Sequence, residues 1–333
     1  MKMPVFLRAL CLAFLFIQAA GCSAACPRAG LPPPEALRLS PAAADLLASA
    51  GRDPSLPQPE PGFSLSAPEA VWAGEPFLLE VAAGGLAAAS VSWRGRTIFA
   101  APGGDGREPV QFLLSVPLRQ AESSIPLALA LTWADGRSEV MRTSLAVLRR
   151  DYPEQRLRVA RKYVRLTSAQ QERVRRDQRQ VREAVAGISP VRRWRLPLLR
   201  PLPGAVTSVY GLRRFFNGEE RNPHRGIDFS AKEGDPVPVC ADGRVVLVRE
   251  HYFGGNTVIV DHGLGVFSLY LHLSAFHVSE GETVRRGQVI GLVGSTGRVT
   301  GPHLHFSLAV QGELVDAAPL LEKREEGRAE PGP

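Results

Sequence analysis

Histidine is missing from the first 223 residues of this 333-residue chain, and all seven copies fall between His224 and His305. Any imidazole catalysis or imidazole metal ligation is thereby confined to the last third. Lysine is nearly as scarce, with Lys2, Lys162, Lys232 and Lys323 making up the whole set. Cysteine occurs four times, too few for a disulfide scaffold. Cys240 lies in the apolar run "PVPVCADGRVVLV", where an unpaired thiol behaves as a small buried hydrophobe, and a bridge from Cys26 to Cys240 stays open. The H-E-x-x-H signature is absent, so no helix-borne glutamate base of that type is available. The longest apolar run, Ala9 to Ala20, falls short of the roughly 20 residues a spanning helix needs.

What is present sets the class. At 44% hydrophobic the chain can bury a sizeable core, and its length suits two domains with connectors. The net charge of +7 is local: residues 151–200 hold 14 Arg and Lys against five Asp and Glu, leaving the rest near neutral. The leader "MKMPVFLRALCLAFLFIQAAGC" places Lys2 and Arg8 before that apolar run and small residues before Cys22, the layout of a secretory signal. Its end resembles a bacterial lipobox, with Ala19 where such boxes usually carry Leu. That likeness implies a signal over residues 1–21, lipidation of Cys22 and membrane attachment through the lipid; cleavage after Ala25 is the alternative. Either route predicts a cell-envelope or periplasmic protein, for which nucleic acid is not an expected partner.

The remainder divides by texture. Residues 22–61 are rich in Pro and Ala and read as a tether, with one short helix around "SPAAADLLASA". Residues 62–150 show short alternating runs split by turn residues, which predicts an antiparallel β-sandwich similar to immunoglobulin-like modules. Residues 151–200 form a basic helical connector. Thr167 or Ser168, each with Gln three residues on, suits a capping box; Val174, Val181, Val185 and Ile188 share one face, and Gly187 marks the expected end. Arg173, Arg175, Arg176, Arg179 and Arg182 cover the other sides. They suit either a solvated helix between domains or attraction to anionic wall polymers and headgroups.

The histidines carry the chemistry. In "GPHLHFSLAV" an extended chain directs His303 and His305 to one face, with Leu304 and Phe306 opposite. In "NPHRGIDFSA" His224 and Asp228 flank a glycine turn that enters an apolar strand. His and Asp are borderline ligands suited to zinc, and a third imidazole, from His303 or His305, completes a site with one position open.

"HRGID", "YLHL" and "GPHLHF", in that order, with "GGNTVIVDHG" and "VRRGQVIGLVGSTGRVTGPH" between them, resemble the LytM or lysostaphin-type zinc metallopeptidases that cut peptide bridges in peptidoglycan. The likeness covers about residues 201–321 and leaves 322–333 as a flexible tail. It implies a mainly β chain, with an antiparallel sandwich or barrel of the duplicated hybrid motif type following the immunoglobulin-like sandwich and connector. It also implies Zn2+ held by His224, Asp228 and His305, with His272 and His303 as unligated catalytic imidazoles. Tyr210, Arg213 and Asn256 are expected along a substrate groove. Some relatives carry a tyrosine in the loop "NGEERNPH"; this chain has only Phe215 and Phe216 nearby. His251 could line substrate, whereas His262 and His277 suit structural places. The implied substrate is peptidoglycan, at a D-alanyl cross-link to diaminopimelate or, second, a glycine bridge, and a regulatory envelope protein is a candidate partner. Two other classes compete. LytM-type activators of other hydrolases lack parts of the metal set, which this chain retains. Biotinyl or lipoyl carriers share the "VSEGETVRRGQVIGLVG" pattern but need a lysine at its hairpin tip, where none occurs.

Overall fold

The computed structural model describes residues 63–103, 108–157 and 166–323. The leader, Cys22, the tether with its expected short helix and nearly all of the tail lie outside the described residues. The chain is mainly β, as expected, with antiparallel pairing dominant.

The first lobe faces two sheets together. One joins β1 (Ser64–Ser66), β3 (Pro76–Ala82) and β6 (Val110–Ser115); the other runs β2 (Ala70–Trp72), β8 (Ser138–Leu148), β7 (Ser124–Trp133), β4 (Leu86–Trp93), β5 (Arg96–Ala100). Along β3 burial alternates, so Phe77, Leu79 and Val81 enter the core, as a half-buried strand requires. They meet Val91, Trp93 and Leu129 from the opposite sheet, with Phe77 edge-on to Trp93 at 5.3 Å. The Trp93 indole N–H donates to Ser115 O at 2.8 Å, which satisfies its one polar atom inside the core.

The strand β6 breaks alternation, since Leu113, Leu114 and Ser115 are all buried. Both of its faces are covered: Leu114 joins the sandwich core, while Leu113 joins the core of the second lobe. Ser115 Oγ donates to Val310 O at 2.8 Å, and Leu264 of the second lobe enters the sandwich core.

The second lobe is a ten-stranded sheet ordered β10 (Val206–Ser208), β13 (Ile227–Ser230), β20 (His303–Val310), β17 (Val266–Phe276), β16 (Gly255–Asp261), β15 (Gly243–His251), β18 (Thr283–Val284). β14 (Pro236–Pro238), β19 (Val289–Val293) and β21 (Glu313–Val315) branch from it, and all its pairings are antiparallel. Its central strands are apolar on both faces because both are covered. One face joins Phe229, Tyr270, Leu304 and Phe306; the other gathers Leu247, Ile259, Phe267 and Leu269 beneath Val181 and Ala184 of helix α1 (Ser168–Ala184) and its C-cap residue Val185.

Thr167 caps α1 in a reciprocal box with Gln170. The helix stops at Ala184, short of the Gly187 expected from sequence, and Ile188 then packs against the sandwich core. The segment read as a helical connector also contains β9 (Glu154–Leu157), parallel to β11 (Arg213–Phe216), which pairs with β12 (Glu219–Glu220). Trp194 and Leu198 of the same segment belong to the second lobe's core. Among the described residues no helix is long and apolar enough to cross a membrane.

Candidate metal centre

Register brings the ligand candidates together. Asp228 on β13 pairs directly with His305 on β20, and β20 is flanked on its other side by β17. His224 precedes β13 and is fixed at its backbone, its N–H donating to Leu212 O at 2.9 Å. The turn between His224 and Asp228 passes so close to β20 that a Cβ on Gly226 would stand 2.5 Å from Phe306 O and 2.6 Å from His305 Nε2. Leu304 and Phe306 are fully buried behind the strand, so the two-residue periodicity leaves His303 and His305 on the opposite side.

Three donor atoms converge. His224 Nε2 lies 3.0 Å from both Asp228 Oδ1 and His305 Nδ1, and the latter two atoms are 2.8 Å apart. The outer nitrogens fix the tautomers. His224 Nδ1 lies 2.9 Å from the Val209 carbonyl, to which it donates. Ser307 Oγ donates to Arg225 O at 2.9 Å and therefore accepts from His305 Nε2 at 2.8 Å. Both imidazoles consequently turn lone pairs toward each other and toward a carboxylate, an arrangement of three acceptors that only a cation or added protons can satisfy. His224, Asp228 and His305 thus fit a divalent metal such as zinc, with the outer-nitrogen hydrogen bonds such sites use for orientation. Burial raises the Asp228 pKa, yet the close approach of the His224 and His305 rings, either of which can share a proton with it, outweighs this and holds the carboxyl well below its usual range. Burial pushes the His305 imidazole down.

His272 and His303 stand beside the triad, with ring centroids 4.9 Å apart. His272 occupies a left-handed backbone position, φ 67°, where β17 shifts register, and its N–H donates to Gly254 O at 2.8 Å. A non-glycine residue held there is a strained feature of the kind found at functional sites. Its Nδ1 donates to Thr296 O at 3.0 Å, leaving Nε2 with its lone pair. Burial, reinforced by the charge of His305, lowers its pKa to about 4, so the ring is neutral at pH 7. His303 Nδ1 donates to Gly301 O at 2.9 Å, and its Nε2 lies 3.9 Å from Asp228 Oδ1.

The expected groove residues fare differently. Tyr210 is 2% exposed, its hydroxyl donates to Leu314 O at 2.7 Å, and its ring sits edge-on to Tyr152. It is buried at the junction between the lobes, where a ring with a single hydroxyl to satisfy is stabilised. Arg213 is paired with Glu154 at 2.6 Å and Glu220 at 3.3 Å. Asn256 N–H donates to Thr296 Oγ1 at 2.9 Å, tying β16 to the loop whose carbonyl holds His272. His251 is buried, with Nε2 unpartnered among the described residues, and His277 is exposed beyond the end of β17. His262 is fully buried, donating from Nδ1 to Asp242 O and lying 2.7 Å from Ser268 Oγ through Nε2. Sequence reasoning missed Ser307 and Thr296. Ser307 was within reach, since it is the next residue on the face of β20 that carries His305.

Comparison with known proteins returns the same region. Residues 222–317 match the model of Peptidase family M23, and the span contains the triad, His272 and His303. Peptidoglycan DD-endopeptidase ShyA of Vibrio cholerae is 52% identical over 113 residues, 34% of this chain and 26% of that protein. DD-carboxypeptidase/endopeptidase Mpg of Neisseria meningitidis is 50% identical over 111 residues, 33% of this chain and 26% of that protein. The chain thus spans about a quarter of the length of these curated relatives. A putative peptidase M23 from Pseudomonas aeruginosa of solved structure is 28% identical with a TM-score of 0.53, across 69% of this chain and 86% of that one. That share reaches well beyond residues 222–317.

Proposed function

With residues 222–317 a domain of peptidase family M23, of the LytM and lysostaphin type, we propose that the chain is an exported zinc metalloendopeptidase hydrolysing peptide cross-links of peptidoglycan. The observation that carries this reading is the triangle of lone pairs formed by His224 Nε2, Asp228 Oδ1 and His305 Nδ1. When bound there, zinc would supply Lewis acidity and lower the pKa of a coordinated water to about 7. The chain's own residues handle protons. His272, whose ring is neutral and whose Nδ1–H is held by Thr296 O so that Nε2 keeps its lone pair, accepts one at Nε2 as general base and returns it to the leaving amine, and His303 Nε2, its Nδ1–H held by Gly301 O, offers a second lone pair for the same exchange. Fixed Nδ1–H bonds keep both rings oriented, so no reorganisation accompanies transfer.

The basic leader, apolar run and Cys22 support export with a lipid anchor, and the sandwich, connector and catalytic domain would hold the site off the membrane near its polymer. A regulatory envelope protein remains part of this proposal. The test is metal content of the mature protein together with digestion of purified peptidoglycan, with and without chelator. Zinc near one per chain and chelator-sensitive release of cross-linked peptides are expected. A chain that binds no zinc overturns the enzyme reading in favour of a non-catalytic activator of other wall hydrolases.

A further inference from the structure

Guanidinium groups gather beside the triad in excess of local carboxylates. Arg214, on β11, places Nη2 3.2 Å from Ser208 Oγ and 3.8 Å from Asp228 Oδ2. Its Nε is buried without an acceptor among the described residues. Arg298 lies in the loop joining β19 to β20, between Thr296, whose carbonyl holds His272, and Gly301, whose carbonyl holds His303. Its N–H donates to Phe253 O at 3.1 Å, and its guanidinium stacks 3.8 Å from the centre of the Phe253 ring. That stack fixes the position of the charge and leaves the five N–H donors in one plane. Arg221 joins Arg214 through a backbone hydrogen bond of 2.8 Å and is itself paired with Glu219 at 2.7 Å.

These charges act on one another. Burial holds the Arg298 guanidinium below its ordinary pKa, Tyr252 opposes that shift, and the like charges of Arg214 and Arg221 add to it. Neither Arg214, beyond its distant contact with Asp228, nor Arg298 meets a carboxylate among the described residues. Like charges held together near a buried site are stabilised by an anion that completes them, and a planar guanidinium with free N–H groups is the natural partner of a carboxylate.

We propose that Arg214 and Arg298 form a carboxylate subsite, with Arg221 adding to the field, and that they select cross-links bearing a free carboxylate next to the scissile amide nitrogen. This deepens the peptidoglycan peptidase reading and rests on it. A D-alanyl bond to the side-chain amine of diaminopimelate has such a carboxylate on the carbon beside that nitrogen; the interior bonds of a glycine bridge have none. The subsite thus distinguishes the two substrates that the ligand set alone leaves equal.

The test is binding by the full mature chain in a His272→Ala background, so that turnover does not interfere. The probes are N-acetyl-D-alanyl-D-alanine and its C-terminal carboxamide, followed by calorimetry with metal content checked in each variant. The carboxylate probe should bind at least about 10-fold more tightly than the amide, and Arg298→Gln and Arg214→Gln should each bring the two probes close to equality. Because Arg214 approaches a metal ligand, Arg298→Gln decides the matter if Arg214→Gln loses metal. Equal binding of the probes before mutation, or a preference that survives Arg298→Gln, overturns the subsite. A carboxylate preference without peptidoglycan hydrolysis by the unmutated protein sinks the enzyme reading alone, whereas hydrolysis without the preference sinks the subsite alone.

Discussion

The two lobes bury different chemistry under similar sheets. In the described part of the sandwich the buried residues are apolar apart from Ser115. The second lobe encloses four histidines and two aspartates, namely His224, His251, His262, His272, Asp228 and Asp261. Burying ionisable groups costs free energy unless partners satisfy them, and nearly every one of these has a partner at a definite atom. The sandwich is a lobe optimised for folding, while the second lobe accepts a desolvation cost to preorganise a site.

Substitutions can sharpen that contrast. The largest effect is expected at the triad: Asp228→Ala or His224→Ala should abolish both bound zinc and hydrolysis while leaving the sandwich folded, measured by metal analysis, peptidoglycan digestion and circular dichroism. Next, Trp93→Ala should cost about 3–5 kcal/mol of unfolding free energy by urea titration, because it opens the sandwich core and strands Ser115 O, without changing zinc stoichiometry in the folded fraction. His272→Ala or His303→Ala should retain zinc and lower kcat on the order of 100-fold or more, about 2.7 kcal/mol. If His303→Ala instead released the metal and His305→Ala kept it, the assignment within H-x-H would be reversed. Ser307→Ala removes the acceptor that orients His305, and zinc affinity should fall roughly 10-fold to 100-fold in chelator competition with little change in folding.

The smallest effect concerns pH. Burial holds the His251 imidazole below its ordinary pKa, with Asp177 opposing and Arg173 and Arg249 reinforcing the shift. The unfolded chain therefore takes up the proton first as pH falls below about 6.5, so stability conferred by neutral His251 is present above that value and lost beneath it. The stability difference between the unmutated chain and His251→Gln should accordingly be larger at pH 7.5 than at pH 5.5, by urea midpoints.

Much of this was legible before any coordinates. The period of two in "HLHF" placed His303 and His305 on one face, and Gly226 followed by "IDFS" signalled a turn into a strand. Thr167 or Ser168, each with Gln three residues on, announced a cap, and Thr167 supplies it. Other features depended on contacts distant in sequence. The family resemblance sets Tyr210 along a groove, yet its hydroxyl is claimed by Leu314 about a hundred positions away. The strand β9 pairs with β11 across the whole of α1, and no local pattern encodes a parallel partner so remote. Periodicity reports which face a residue occupies; it is silent about what covers that face, which is why Leu113 and Ser115 could not be assigned to the contact between lobes.

Gly226 has a consequence for sequence variation. A methyl group there would collide with the backbone of β20 and with the ring of His305, so the position should tolerate one amino acid only. Its neighbour Arg225 is exposed and meets no such restriction. In a library randomised across both codons, survivors should be monotonous at 226 and diverse at 225, a boundary one residue wide between a site that drift cannot enter and a surface that it can.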